Sequence, residues 1–189
     1  LKIKKLKQHS DIKISPLAYV IKACSSVLKD FEKINSSLSE DGNSIILKSY
    51  INIGFAADTE NGLVVPVIKD VDKKSLIEIA KELLSLSLKA RAGKLSSDEM
   101  SGATFTISSL GGIGGTAFTP IINAPEVAIL GLSRSTTQPV WNGSEFEPKL
   151  MLPLSFSYDH RVIDGAYAVR FTTALCDELK KIRNLSRKA

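Results

Sequence analysis

Apolar residues recur at spacings of three and four over Leu17, Val20, Ile21, Cys24, Val27, Leu28 and Phe31, the spacing of one face of an α-helix. Pro16 precedes them, and proline suits a first helical turn because its missing N–H is not needed there. A core-facing helix is therefore predicted over residues 15–31. The pattern changes at Ser39-Glu40-Asp41-Gly42-Asn43, a run of turn formers, and turns β-rich over residues 45–57. Glu60-Asn61-Gly62 makes a second turn before the apolar run 63–68, and the two β-rich stretches are predicted to pair. Helical spacing returns with Leu76, Ile79, Leu83, Leu86 and Ala90, where Ser75 and Glu78 form a capping box and Gly93 stands just past the end. Strands are predicted at 104–108, 127–133 and 150–158, the last with Leu152, Leu154, Phe156 and Tyr158 on one face. A final helix is predicted over 165–183, with Ala168, Phe171, Leu175, Leu179 and Ile182 on one side. Helices and β-rich runs without regular βαβ alternation imply an α/β chain of the α+β type, a mixed β-sheet flanked by helices.

A chain of 189 residues fits one domain and can bury roughly 70% of its unfolded surface. No apolar run approaches the roughly 20 residues that span a bilayer, and the opening LKIKKLK is not a secretory signal, so a soluble intracellular protein is expected. The net charge of +5 changes little, because the basic residues gather at the two ends with few aromatics among them, which reads as solvated faces rather than a nucleic-acid surface. Cys24 and Cys176 lie far apart in helical segments and are expected to be small core residues. With no clustered thiols and one histidine in a chemical setting, neither a metal site nor a cysteine-protease arrangement has enough parts.

That histidine is His160, in the stretch LSFSYDHRVIDG over residues 154–165; the other, His9, has no such setting. A neutral imidazole is well suited to take a proton from a thiol near pH 7. The strand delivers His160 at its end, and Gly165 suits a tight turn into the last helix. Taken alone, H-x-x-x-D-G reads more often as a hydrogen-bonded structural histidine and an ordinary Asp cap than as a catalytic pair.

The segment DHRVIDG also resembles the active-site signature of the dihydrolipoyl acyltransferases, the core subunits of the 2-oxo acid dehydrogenase complexes. The resemblance extends, in order along the chain, through NSSL at 35–38, NIGFAADTENGLVVPVI at 52–68, FTISSLGGIGGT at 105–116 and NAPEVAILG at 123–131. It is closest to the branch that serves bacterial pyruvate dehydrogenase complexes. It implies a chloramphenicol acetyltransferase-like fold that forms trimers, and transfer of an acetyl group from acetyl-dihydrolipoamide to coenzyme A. It assigns His160 as general base, Ser108 as oxyanion donor with Ser109 its competitor, and Asp164 to holding the segment in shape through a charged partner such as an arginine. Ser37, Asp58 and Asn61 are the nominees for coenzyme A contacts. The lipoyl group is expected as acyl carrier on a separate domain, and no metal is expected.

The resemblance further implies an active site between neighbouring subunits, and trimers that build a 24-mer or 60-mer core with the lipoyl domain, the pyruvate decarboxylase-dehydrogenase subunit and dihydrolipoyl dehydrogenase as partners. The location would be the bacterial cytoplasm, or the mitochondrial matrix in a eukaryote. Residues 1–189 would be the acyltransferase catalytic domain lacking its N-terminal part, without lipoyl or subunit-binding domain. The cluster GGIGGTA at 111–117 contains G-x-G-x-x-A, but Pro120 and Pro125 interrupt the helix that a dinucleotide turn must open. A chloramphenicol acetyltransferase carries histidine where this chain has Asp159, and the succinyl branch lacks the serine found here at Ser108. Acetyl is therefore favoured over a branched-chain or succinyl group, and retention of all three residues disfavours a non-catalytic core scaffold.

Overall fold

Ser15 opens the first helix of the computed structural model, which describes residues 14–188 and the side-chain surroundings of 14–181. Its hydroxyl accepts from the Ala18 N–H at 3.3 Å, Pro16 fills the first turn, and α1 spans Pro16–Val27. A tighter 3-10 turn at Leu28–Asp30 completes the run predicted to reach Phe31. α2 spans Leu76–Arg91 and carries both halves of the predicted capping box, the Glu78 carboxylate accepting from the Ser75 N–H at 2.7 Å. α3 spans Gly165–Lys188, and Phe171 and Leu175 on its predicted apolar side are fully buried; Ile182 and His9 fall outside the described surroundings.

Eleven strands follow in order among the described residues: β1 Ser36–Leu38, β2 Ile45–Leu47, β3 Ile53–Phe55, β4 Ala57–Thr59, β5 Gly62–Val64, β6 Val67–Ile68, β7 Phe105–Ser109, β8 Ala128–Leu132, β9 Thr136–Trp141, β10 Phe146–Met151 and β11 Leu154–Tyr158. Five form the central mixed sheet, in the order β11-β8-β7-β3-β6, with β3, β7 and β8 parallel and both edge strands antiparallel. α1 packs between α3 and α2. On the α3 face of the sheet, Phe171 meets Phe31, Phe105 and Phe156 at ring separations of 5.5, 6.0 and 5.0 Å, contacts that each add about 1 kcal/mol beyond the area they bury. The opposite face is covered by chain rather than helix: Gly131 lies so close to Phe118 and Pro120 that an added Cβ would stand 2.8 Å from the phenyl ring.

Three expectations change. The β-rich run 45–57 divides because the Asn35 side chain donates to the carbonyls of Lys48 and Tyr50, at 3.0 and 2.9 Å, and takes them out of the ladder. β2 then pairs with β1, while the predicted pairing of 45–57 with 63–68 is made by β3 with β6 and β4 with β5. The single strand over 150–158 breaks at Leu152-Pro153, since proline cannot donate to a ladder. Its first part, β10, forms a hairpin with β9, and Trp141 and Phe146 meet there edge to face at 5.2 Å. Cys24 is buried as expected, but Cys176 is exposed because it lies off the stripe of α3 that packs inward.

Candidate active site

His160 stands at the exposed point of a turn that is fastened on both sides. Before it, the Asp159 N–H donates to the Val127 carbonyl at 2.8 Å, continuing the β11–β8 pairing. After it, the amides of Val162 and Ile163 both donate to the Asp159 carbonyl at 3.0 Å, and their side chains are buried. The Arg161 guanidinium forks onto the Asp159 carboxylate, with contacts of 3.0 and 2.6 Å, and this hydrogen-bonded cation holds the Asp159 carboxyl below the usual range. The turn leaves the imidazole open to solvent beside Tyr158, 5.7 Å between ring centres. Burying hydrophobic residues directly after an exposed histidine fixes its position without enclosing it.

Ser108 sits near the end of β7, half-buried, on the sheet face away from α3. Strand alternation sets this orientation: Phe105 and Ile107 point into the aromatic core, so Thr106 and Ser108 point the other way. In register it stands beside Gly131 of β8, which in turn stands beside Ser155 of β11. Ser109 points to the α3 side, so the two serines are separated by the pleat.

Ser108 and His160 of one chain do not meet. From Ser155, level with Ser108, β11 runs three residues to Tyr158 before the turn, about 10 Å along the strand, and β11 lies two strand spacings, about 9.6 Å, from β7. The backbones are thus about 14 Å apart at Tyr158, with His160 further on. Tyr158 also faces α3, through the alternation it shares with Phe156, whereas Ser108 faces away. Each chain presents half a site at either end of its sheet.

Asp164 caps α3: its carboxylate accepts from the Tyr167 N–H at 2.8 Å, which lowers its carboxyl below the ordinary value. Asp164 was expected to hold the segment through a charged partner such as an arginine, but among the described residues it has no ion pair, and the nearby Arg161 pairs with Asp159. The three nominees for coenzyme A divide in the same way as the catalytic pair. Ser37 is buried in β1 and bridges to Glu126, the residue before Val127, at the His160 end. Asp58 and Asn61 are exposed on the β4–β5 hairpin, which continues β3 past the Ser108 end.

Sequence reasoning overlooked Glu126. It is 6% exposed, accepts from Thr106 Oγ1 at 2.9 Å and from Asn123 Nδ2 at 3.2 Å, and leaves its second oxygen without a partner. Burial pushes its carboxyl up to about 7 against the lowering effect of those two bonds. The signal was present in Asn123-Ala124-Pro125-Glu126, an acid between a proline and the wholly apolar run 127–130, where few charges survive unless protonated or paired. The described residues contain no group of three or more His, Cys, Asp or Glu able to hold a metal ion, and no helix among them is long and apolar enough to cross a membrane.

The mixed sheet backed by helices is a chloramphenicol acetyltransferase-like fold: a chloramphenicol acetyltransferase aligns over 87% of this chain and 78% of its own at a TM-score of 0.59 and 15% identity, a likeness of fold alone. Residues 1–186 match the 2-oxoacid dehydrogenases acyltransferase (catalytic domain) family, and the chain belongs to that family. The dihydrolipoyllysine-residue acetyltransferase component of the pyruvate dehydrogenase complex of Pseudomonas aeruginosa is 58% identical over 178 residues, 94% of this chain but 32% of that protein. The chain thus spans about a third of the length of such curated relatives. Among solved structures, the cubic core of a pyruvate dehydrogenase multienzyme complex is 56% identical at a TM-score of 0.91, over 95% of this chain and 74% of that one. A structure of Azotobacter vinelandii dihydrolipoamide acetyltransferase is 59% identical at a TM-score of 0.89, over 92% of this chain and 71% of that one. It comes from an investigation of the role of a serine, a histidine and an asparagine in the catalytic mechanism, the histidine 52 positions after the serine and the asparagine four after the histidine.

Proposed function

We propose that this chain is the catalytic domain of a dihydrolipoyl acetyltransferase and moves an acetyl group from acetyl-dihydrolipoamide to coenzyme A. The observation that carries this reading is spacing: Ser108, His160 and Asp164 stand at the same intervals, 52 and four, as the serine, histidine and asparagine investigated in the Azotobacter enzyme. Asp164 stands where that protein has asparagine, and both residues can make the cap seen here.

A ring nitrogen of His160 accepts the proton of the coenzyme A thiol, and the thiolate attacks the acetyl carbonyl carbon of the lipoyl thioester. A thiol with an ordinary pKa near 8.5 is only a few per cent ionised at neutral pH, so a placed base is worth about 100- to 10,000-fold. The tetrahedral oxyanion accepts a hydrogen bond from Ser108 Oγ, worth roughly 3 to 4 kcal/mol. Collapse expels the dihydrolipoamide thiolate, which takes the proton back from His160. One thioester forms and one breaks, no covalent enzyme intermediate arises, and Asp164 keeps the histidine turn attached to α3. The lipoyl group arrives on a separate domain, and Ser37, Asp58 and Asn61 lie along the approach of coenzyme A.

Because the two half-sites lie at opposite ends of one sheet, the base and the donor come from different copies, which supports a closed ring of subunits, a trimer. The cubic core of the related complex supports a 24-mer as the higher assembly, with the decarboxylase and dehydrogenase of a pyruvate dehydrogenase complex as partners. The test is acetyl transfer from acetyl-coenzyme A to free dihydrolipoamide by His160→Ala, by Ser108→Ala, and by the two unfolded and reassembled together. Each alone loses about 100-fold or more, and random mixing in a symmetric ring restores about a quarter of the sites. Near-normal turnover by His160→Ala removes it as the base, and no recovery on mixing removes the shared site.

A further inference from the structure

On the sheet face away from α3, Ser108, Gly131 and Ser155 stand side by side on β7, β8 and β11. The middle position has no side chain, and the Phe118 ring occupies its place: a Cβ on Gly131 would lie 2.8 and 3.0 Å from two ring carbons and 3.2 Å from Pro120. Beyond the ring, on the β11 side, lies a groove of about 350 Å³ lined by Ala117, Phe118, Thr119, Ser155, Phe156 and Ser157. The phenyl ring therefore stands between Ser108 and the groove, one strand spacing, about 4.8 Å, from each neighbouring row.

We infer that Phe118, seated on Gly131, sets the acyl-chain length this enzyme accepts, by walling the acyl group held at Ser108 off from the groove over Ser155 and Ser157. The inference rests on acyl transfer at Ser108 and adds the group that reads the acyl chain. An acyl carbonyl whose oxygen accepts from Ser108 Oγ has its methyl end within reach of the ring. An acetyl methyl fits in front of the ring, whereas a longer chain meets its face and cannot enter the groove without displacing a side chain packed on two sides. Overpacking of this kind costs enough to exclude a chain that is otherwise chemically equivalent.

Truncating the ring joins the groove to the space at Ser108. The measurement is kcat/KM for acetyl-, propionyl- and butyryl-coenzyme A with free dihydrolipoamide, for the parent chain, Phe118→Ala, Phe118→Leu and Ser108→Ala at verified oligomeric mass. Each methylene newly accommodated is worth about fourfold, so the butyryl-to-acetyl ratio rises about 15-fold in Phe118→Ala, with a smaller rise in Phe118→Leu. Should Phe118→Ala fail to assemble, Phe118→Leu decides. An unchanged ratio in the folded variants, while Ser108→Ala still abolishes acetyl transfer, overturns the role of Phe118 and leaves the site standing. A parent chain whose acetyl transfer does not depend on Ser108 overturns the site and this inference together.

Discussion

Replacing Glu126 by glutamine isolates one buried ionisation and its effect on stability. In the folded chain its carboxyl is pushed from the ordinary 4.5 up to about 7 by burial, with one oxygen unpartnered. The native state thus holds the Glu126 proton after the unfolded chain has lost its own, so between pH 4.5 and pH 7 unfolding releases a proton and stability falls as pH rises. Below 4.5 both states are protonated and above 7 both are ionised, so this contribution is flat outside that window. At 1.36 kcal/mol for each pH unit, the loss across it is about 3 kcal/mol. Glutamine mimics the protonated acid: its oxygen still accepts from Thr106 and Asn123, and it does not titrate. Urea unfolding of parent and Glu126→Gln at a series of pH values, at one protein concentration because assembly itself stabilises, should show the difference moving by about 3 kcal/mol in favour of glutamine from pH 4 to pH 8. Two pH–stability curves that stay parallel would refute the assignment of a raised, buried acid at this position.

The pleat separates Ser108 from Ser109, so Ser108→Ala should lower kcat by about 100- to 1,000-fold with KM little changed, while Ser109→Ala, which faces the helices, leaves kcat within a few-fold; steady-state kinetics of both variants decide it, and the reverse result moves the donor by one residue. For Asp164, asparagine preserves the cap on α3 and alanine removes it. Urea unfolding at pH 7 should therefore find Asp164→Asn close to the parent and Asp164→Ala about 1 kcal/mol less stable, and an equal loss in both would mean that charge, not capping, is what Asp164 supplies.

Most of the secondary structure was legible because its signals are local. Ser15 with Pro16, and Ser75 with Glu78, announce helix starts through bonds made within four residues, and the apolar face Leu76 to Ala90 follows from helical period alone. What was missed depends on partners distant in sequence. Asn35 ends the ladder at Lys48 and Tyr50 from more than ten residues away, which no pattern within 45–57 reveals. The split of 150–158 was available in Pro153, but the apolar alternation on both sides of it reads as continuous. His160 was visible as one of two histidines, in a rare setting, and the resemblance supplied Ser108; that each chain holds these two at opposite ends of one sheet follows only from the register of β7, β8 and β11. Glu126 was signalled by its place before an apolar run, but a sequence does not show that two strands and a loop close over it.

The placement of His160 and Ser108 on a single chain also bears on reactions the protein must not catalyse. Thioesters are energy-rich, and a base and an oxyanion donor converging in open solvent would hand them to water. A chain folded by itself has its imidazole at one end and its hydroxyl at the other, each exposed or half-exposed to a solvent it cannot put to use. On the proposed function, hydrolytic silence is thus inherent in the unassembled state. Catalytic power arises at the moment when ring closure brings the two groups together and narrows the space that water could occupy between them.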